Sequence, residues 1–597
     1  MVSEDQTQFS VWAPSAKNVS VQIVQRTNVG GPSDVESVLS EHSLGCCSTD
    51  GGSDVFTGIV DDCLADTLYR FKLDNRSARP DPRSRFQPLG VHGPSQVIDA
   101  SKHVWQDSAW RGVQKRDLVI YELHVGSFSE SGTYAGAIGK LDELTQLGIT
   151  AIEVLPLAQC PGKWNWGYDG VNYFAPNHGF GQPDALKTFV DACHARGIAV
   201  INDVVYNHVG PEGNYLAEFG PYRSRKFGTP WGDAFDFDQP QVRQYIIDNV
   251  MFWMDEYHFD GLRLDAVHYM FDDGDGHILQ EIQSKFREYE STLEREVYLI
   301  GESNIYDPEL VGDVESGDPH YDAIWSDCLM HSIYTLGNPE LRLTNRAYQP
   351  TDIAESLEHA YVFSTPEAVR VTDEIRSRHH AGGDRKYIES LIMALQTHDS
   401  VGNHPHGKRL HHLTSVEYQR AAAALILLYP SIPMLFMGEE WSTDAPFPFF
   451  ADFEDQALRR SVDKGRRDEY PHHDWKGSPL PSDPDAFLST KSSSQQLNVE
   501  TNRWYKQLLA FRKRGVTEGW LAVENWSVSS DLANSIFKLV YRNGDQEIHV
   551  CARLASASAD PIELSELEAR EVVLDSRSGE AGLNQMLAGQ HCLVWLS

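Results

Sequence analysis

Residues 198–208 read Ile198-Ala199-Val200-Ile201-Asn202-Asp203-Val204-Val205-Tyr206-Asn207-His208. The run Ile198–Val205 is short, mostly apolar and rich in β-branched residues, so it reads as a strand covered on both faces. Such a strand belongs to a parallel sheet packed against helices. The flanks agree: Pro183–Ala195 and Gln241–Tyr257 have helical spacing, and Gly261–Val267 is the next apolar strand. Further out, Leu118–Val125, Ala151–Leu157, Val297–Ile300, Ala323–Trp325, Leu391–Leu395 and Ile432–Phe436 complete eight strands. Tyr134–Leu147 and Trp504–Lys513 supply the first and last helices. Eight strand–helix units in succession predict a closed (β/α)8 TIM barrel rather than an open sheet.

Both ends of the chain alternate instead. Phe9–Trp12, Val19–Val24 and Leu68–Leu73 predict an N-terminal β-sandwich, and Arg79–Gly93 reads as an extended linker. Ser535–Arg542, Glu547–Ala552, Glu571–Leu574 and His591–Leu596 predict a C-terminal β-sandwich. The expected multidomain α/β chain therefore divides at residues 1–108, 109–515 and 516–597, with an insertion in the barrel at about 337–387.

Composition narrows the function. The 597 residues carry 51 Lys+Arg against 86 Asp+Glu, a formal net charge of −35, so the chain lacks the basic excess that nucleic acid or an anionic membrane would need. With 41% hydrophobic residues it has ample material for a core. The most apolar run, Ala421–Met437, is cut by Pro430, Ser431 and Pro433, and reads as a buried helix, turn and strand, not a membrane span. Met1–Ser10 is polar and acidic, unlike a leader, and the eight cysteines are scattered as reduced thiols would be, so a cytoplasmic chain is expected. No phosphate-binding loop, dinucleotide fingerprint or nucleophile elbow occurs. The adjacent pairs His379-His380, His411-His412 and His472-His473 lack metal-ligand spacing and are expected to diverge in solvated loops. No metal and no other cofactor is predicted; oligomeric state is not legible.

Chemistry in such a barrel sits at the C-terminal strand ends. The third strand ends in Asp203 to His208, the fourth in Arg263-Leu264-Asp265-Ala266-Val267-His268, the fifth in Gly301-Glu302-Ser303 and the seventh in His398-Asp399-Ser400. Three carboxylates, Asp265, Glu302 and Asp399, thus converge on one rim. Taken singly, Arg263-x-Asp265 also fits a structural ion pair, His398-Asp399 a loop cap and Glu302 a helix cap. Together, in barrel order, they match what glycoside hydrolysis requires: one ionised carboxylate and one protonated acid. Arg263, two residues before Asp265, would keep that carboxyl ionised, leaving Glu302 as the acid and Asp399 to bind sugar hydroxyls. Trp164, Trp166 and Tyr168, after the second strand, offer ring faces to a pyranose; Trp231 and Trp441 are further rim candidates, with core packing or loop anchoring as the alternative.

These segments resemble the four signature regions of the α-amylase superfamily. That resemblance implies retaining action on α-glucans by a catalytic barrel with a C-terminal sandwich. Phe9-Ser10-Val11-Trp12-Ala13-Pro14 is similar to the opening of the immunoglobulin-like N-terminal domains of glycogen-branching and related members. Tyr121 to Gly126, Trp166 to Val171, Asp203 to Leu216, Thr229 to Gly232, Trp325-Ser326-Asp327 and Pro433 to Trp441 are similar to the maltooligosyltrehalose trehalohydrolase family. The resemblance implies Asp265 as nucleophile, Glu302 as proton donor and Asp399 as transition-state stabiliser. Arg263, His268, His208, Tyr168, Asp327, His331, His398 and Trp231 are the implied substrate-binding residues. It also implies cleavage of the α-1,4 bond next to the terminal trehalose of maltooligosyl trehalose. Asn304 stands where that family has Asp, Ser400 where it has Gln, and His404-Pro405-His406 follows Asn403.

Three other readings compete, one of them another α-amylase-type hydrolase of α-glucans. A glycogen branching enzyme would share the nucleophile and acid but usually carries Pro-Ala-His at the position of Tyr206-Asn207-His208. A non-catalytic glucan-binding protein would not need the complete trio.

Overall fold

The computed structural model describes residues 3, 5–27, 35–48, 54–303, 306–311, 320–338, 349–362, 385–491, 497–564, 571–577 and 586–597. At its centre eight parallel strands close into a barrel: Ile120–Leu123, Ala151–Val154, Ala199–Val204, Gly261–Leu264, Tyr298–Glu302, Ala323–Ser326, Leu391–Ala394 and Ile432–Phe436. The eighth pairs with the first, Met434 opposite Ile120, so the sheet has no open edge.

Strand alternation sorts the side chains. Ile120, Ala151, Ala199, Ile201, Tyr298, Ile300, Ala323, Ile392, Ile432 and Met434 form an apolar cluster inside the barrel. Tyr121, Leu123, Ile152, Val154, Val200, Leu262, Leu299 and Leu435 join the larger core under the helices. One step further along the strands, the inward positions become polar: Glu122, Glu153, Asp203, Arg263 and Glu302.

The helices follow the sequence spacing, with corrections at their ends. The expected helix Tyr134–Leu147 breaks into Tyr134–Ile138 and Leu141–Leu147, with Gly139 capping the first. The fourth strand stops at Leu264 instead of Val267, because Ala266 takes a left-handed conformation (φ 40°, ψ 55°). His398–Gly402 is already helical: Thr397 and Ser400 exchange side-chain and backbone hydrogen bonds in a capping box. The last barrel helix is longer than expected, Val499–Glu518, and a polar helix, Gln456–Glu469, precedes it. Between the sixth and seventh barrel strands the described residues include helix Pro350–His359, capped by Gln349.

The N-terminal strands form one antiparallel sheet whose two halves share Val35–Ser48: that strand pairs with Val19–Thr27 along one part and with Asp54–Asp61 along another. The C-terminal region has a five-stranded antiparallel sheet, including Trp526–Asp531, and a two-stranded one. No helix among the described residues is long and apolar enough to cross a membrane.

The histidine pairs depart from expectation. His411 and His412 share the short helix Leu410–Leu413, and their ring centroids lie 4.0 Å apart rather than diverging. With Asp444 they bring one ligand atom each within 4.8 Å of one another, a grouping invisible in the adjacent pair alone. His472 and His473 sit 4.3 Å apart, with His473 buried against His404. His379-His380 lies outside the described residues, as does Asn304.

Candidate active site

Arg263 organises the rim. Its side chain is fully buried, and its guanidinium lies over the Trp325 ring at 4.3 Å. Nη1 donates to both oxygens of Asp203 at 2.9 Å and to Asp265 Oδ1 at 2.8 Å. Nη2 approaches Glu302 Oε2 to 2.9 Å, an ion-pair contact off the hydrogen-bond direction. One cation therefore faces three acids from the third, fourth and fifth strands.

One backbone donor and one side-chain donor aim two of these acids. The left-handed turn at Ala266 directs its N–H to Glu302 Oε2 at 2.7 Å. A non-glycine residue in that region is strained, and such strain persists only where the surroundings hold it. Asp265 Oδ2 accepts from Asn207 Nδ2 at 2.8 Å. Both carboxyl side chains keep 13% exposure, so they reach the opening of the barrel. Asp399, at the start of helix His398–Gly402, is 49% exposed.

The two inner acids are biased in opposite directions. Burial pushes Asp265 up, but Arg263, Asn207 and His208 outweigh it, and its carboxyl stays below the ordinary value. Burial also pushes Glu302 up; Arg263 opposes this, Asp265 and Asp399 add to it, and the acid rises to about 8. Asp203, buried beneath them, rises to about 6 for the same first reason, and accepts from the Tyr168 hydroxyl at 2.7 Å.

The remaining expected residues divide. Tyr168 is stacked on His398, centroids 5.0 Å apart. Asp327 stands near Asp399 and His331; burial raises its carboxyl and His331 opposes the rise. Burial depresses the His208 ring below its ordinary value, against the pull of Asp265. Trp231 is 46% exposed and stands 5.8 Å from the His208 ring and 4.9 Å from Tyr269. His268 lies on the one-turn helix that follows Asp265. Two aromatic candidates are corrected. Trp166 is buried against Phe447, Phe449 and Phe450, and is a wall of the core rather than an open platform. Trp164 is stacked on Phe487, 6.2 Å away, and anchors its loop. Trp441 lines a 450 Å³ cavity with Tyr121, Lys140, Arg409 and Glu440, away from the three carboxylates. Ser400 is committed to its helix cap.

Glu122, Glu153 and Asn207 also belong to this polar layer, although the strand-end reading did not select them for it. A charge inside an apolar barrel strand was the available signal for the two glutamates. Asn207 lies among the strand-end residues themselves.

Comparison with known proteins agrees with this geometry. The α-amylase catalytic-domain family model matches residues 103–228. A malto-oligosyltrehalose trehalohydrolase of Saccharolobus solfataricus is 38% identical over 517 residues, 86% of each chain. That of Arthrobacter ramosus is 37% identical over 519 residues, covering 85% of this chain and 87% of the other. A crystal structure of a Salmonella typhimurium protein, provisionally named an α-amylase, superposes with a TM-score of 0.83 at 28% identity, covering 100% of this chain and 98% of that one. Barrel, charged rim and similarity together define a glycoside hydrolase of the α-amylase type. Within that class, the chain belongs to the malto-oligosyltrehalose trehalohydrolase family.

Proposed function

We propose that this hydrolase cleaves the α-1,4 bond next to the terminal trehalose of maltooligosyl trehalose, with retention, and releases trehalose. The observation that carries the catalytic part is the opposite bias of Asp265 and Glu302 around one guanidinium. Asp265, ionised, attacks the anomeric carbon. Glu302, protonated, gives its proton to the leaving oxygen, and the trehalose departs. Glu302, now ionised, takes a proton from water, which displaces Asp265 and frees the glucan. Asp399, beside the open rim, stabilises the positive charge that develops on the sugar ring. His208, His268, His331, Asp327, Tyr168, His398 and Trp231 bind substrate around this trio. The names of the relatives support the choice of trehalose-capped substrate over plain α-glucan.

The same reading divides the chain at 1–108, 109–515 and 516–597 and places it in the cytoplasm. The test is product analysis with maltooligosyl trehalose and with amylose. Free trehalose from the first is the expected result. New α-1,6 branches without trehalose would overturn the assignment in favour of a transferase.

A further inference from the structure

Glu122 is the one charged residue of the first barrel strand, Ile120–Leu123. Its side chain is 1% exposed and enters the barrel below the rim. A lone ionised carboxylate there would be costly. Both of its oxygens are taken up by a residue far along the chain: the backbone N–H of His398 donates to Oε2 at 3.0 Å, and His398 Nδ1 meets Oε1 in a short contact. The His398 ring cannot swing. Tyr168 stacks on it at an interplanar angle of 22°, Trp166 meets it at 86°, and Trp325 closes a third side. Its free nitrogen, Nε2, lies 3.5 Å from Asp399 Oδ1, at the open rim.

We propose that Glu122 is a positioning residue for the reaction: it holds His398 as an imidazolium whose Nε2–H is aimed, beside Asp399, at a hydroxyl of the sugar undergoing cleavage. This rests on the assignment of Asp265, Glu302 and Asp399 above. With Nδ1 committed to Glu122, the ring has one nitrogen left for substrate. That nitrogen donates only while the ring is charged; in the neutral ring it carries a lone pair directed at a carboxylate. Glu122, His398 and Asp399 then sum to a single negative charge, which favours a cation-like transition state without a mobile ion.

The charge on His398 is supported by its neighbours. Burial works against it, but Asp399 and Glu122 outweigh burial, and the ring rises to about 9. Arg263 on the fourth strand opposes this charge, and His398 itself depresses His124. Glu153 on the second strand, Asp203 on the third and Asp327 after the sixth also face the ring. Of these groups only Glu122 bonds directly to the imidazole.

The test pairs a readout that needs no turnover with one that does. In protein labelled with ¹³C-histidine, the His398 signal is assigned by its absence in H398N and titrated in wild type, E122Q and E122D. Wild-type His398 is expected to stay protonated past about pH 8, with E122Q titrating about one pH unit or more lower. On maltooligosyl trehalose Glu302 ends the wild-type kcat/KM profile first, at about pH 8; in E122Q the His398 proton is expected to leave at or below that pH, so the loss above pH 8 steepens from roughly tenfold to roughly a hundredfold per pH unit. E122D, which keeps the charge, is expected to restore most of the limb. A wild-type ring that titrates near its ordinary value overturns the proposal even if E122Q fails to fold. So does a folded E122Q whose limb keeps the wild-type position and steepness, or an E122D limb as steep as that of E122Q. Failure of the catalytic assignment itself shows separately, as D265N retaining turnover.

Discussion

Two pairs of acids are buried at the same end of the barrel: Asp265 with Glu302, and Glu439 with Glu440 after the eighth strand. Burial raises Glu439 to about 8 and Glu440 to about 7, as it raises Glu302. The surroundings differ. Glu439 accepts from the Tyr505 hydroxyl at 2.9 Å and Glu440 from the Tyr121 hydroxyl at 3.0 Å. The nearby cation, Arg409, spends Nε and Nη1 on the carbonyls of Ala445 and Met437. The two glutamates are 2% and 4% exposed, and both are pushed the same way. Asp265 and Glu302 instead share one guanidinium, reach the opening and are pushed apart. A raised carboxyl by itself marks burial; separated protonation within reach of substrate marks an acid–nucleophile pair.

That contrast can be broken at several points. D265N is expected to lower kcat by on the order of 10⁴-fold with an unchanged melting temperature. E440Q in the same assay is expected to turn over near the wild-type rate. Equal losses from the two substitutions would erase the distinction.

A pH profile probes the asymmetry within the first pair. In the proposed mechanism, activity requires Asp265 ionised and Glu302 protonated. kcat/KM is therefore expected to fall below the ordinary carboxylate range as Asp265 gains a proton, and again as pH passes about 8 and Glu302 loses one. A profile flat through that upper limit would remove Glu302 as the acid.

The second pair makes a stability prediction of definite sign. In the folded state Glu440 holds its proton up to about 7, above its unfolded value. The folded protein then binds more protons than the unfolded one between the two values, so stability is greatest below the unfolded value and falls as pH climbs through this window. Melting curves from pH 5 to 8 should show a smaller decline in E440Q than in wild type.

The smallest expected effect is at Trp231. Trp231 offers only an exposed ring face beside His208, so W231A should raise KM several-fold and leave kcat nearly unchanged. A large fall in kcat would place Trp231 closer to the reacting atoms than its position at the rim implies.

Much of this was readable along the chain. Eight apolar segments alternating with helices dictate a closed parallel barrel, because strands buried on both faces have few other ways to be covered. The same rule directs attention to the polar residues at strand ends, and Asp203, Arg263, Asp265, Glu302, His398 and Asp399 all lie there. What the chain could not show is which inward side chains meet. Glu122 and His398 are 276 positions apart and are joined only because the barrel closes between its first and eighth strands. Trp166 and Tyr168 are two residues apart in a turn, yet one is buried in the core and the other stands against Asp203 and His398. Local periodicity decides whether a residue faces inward. Its partners, and through them its charge, are set by closure, which brings distant strands within hydrogen-bond reach and excludes the water that would otherwise screen them.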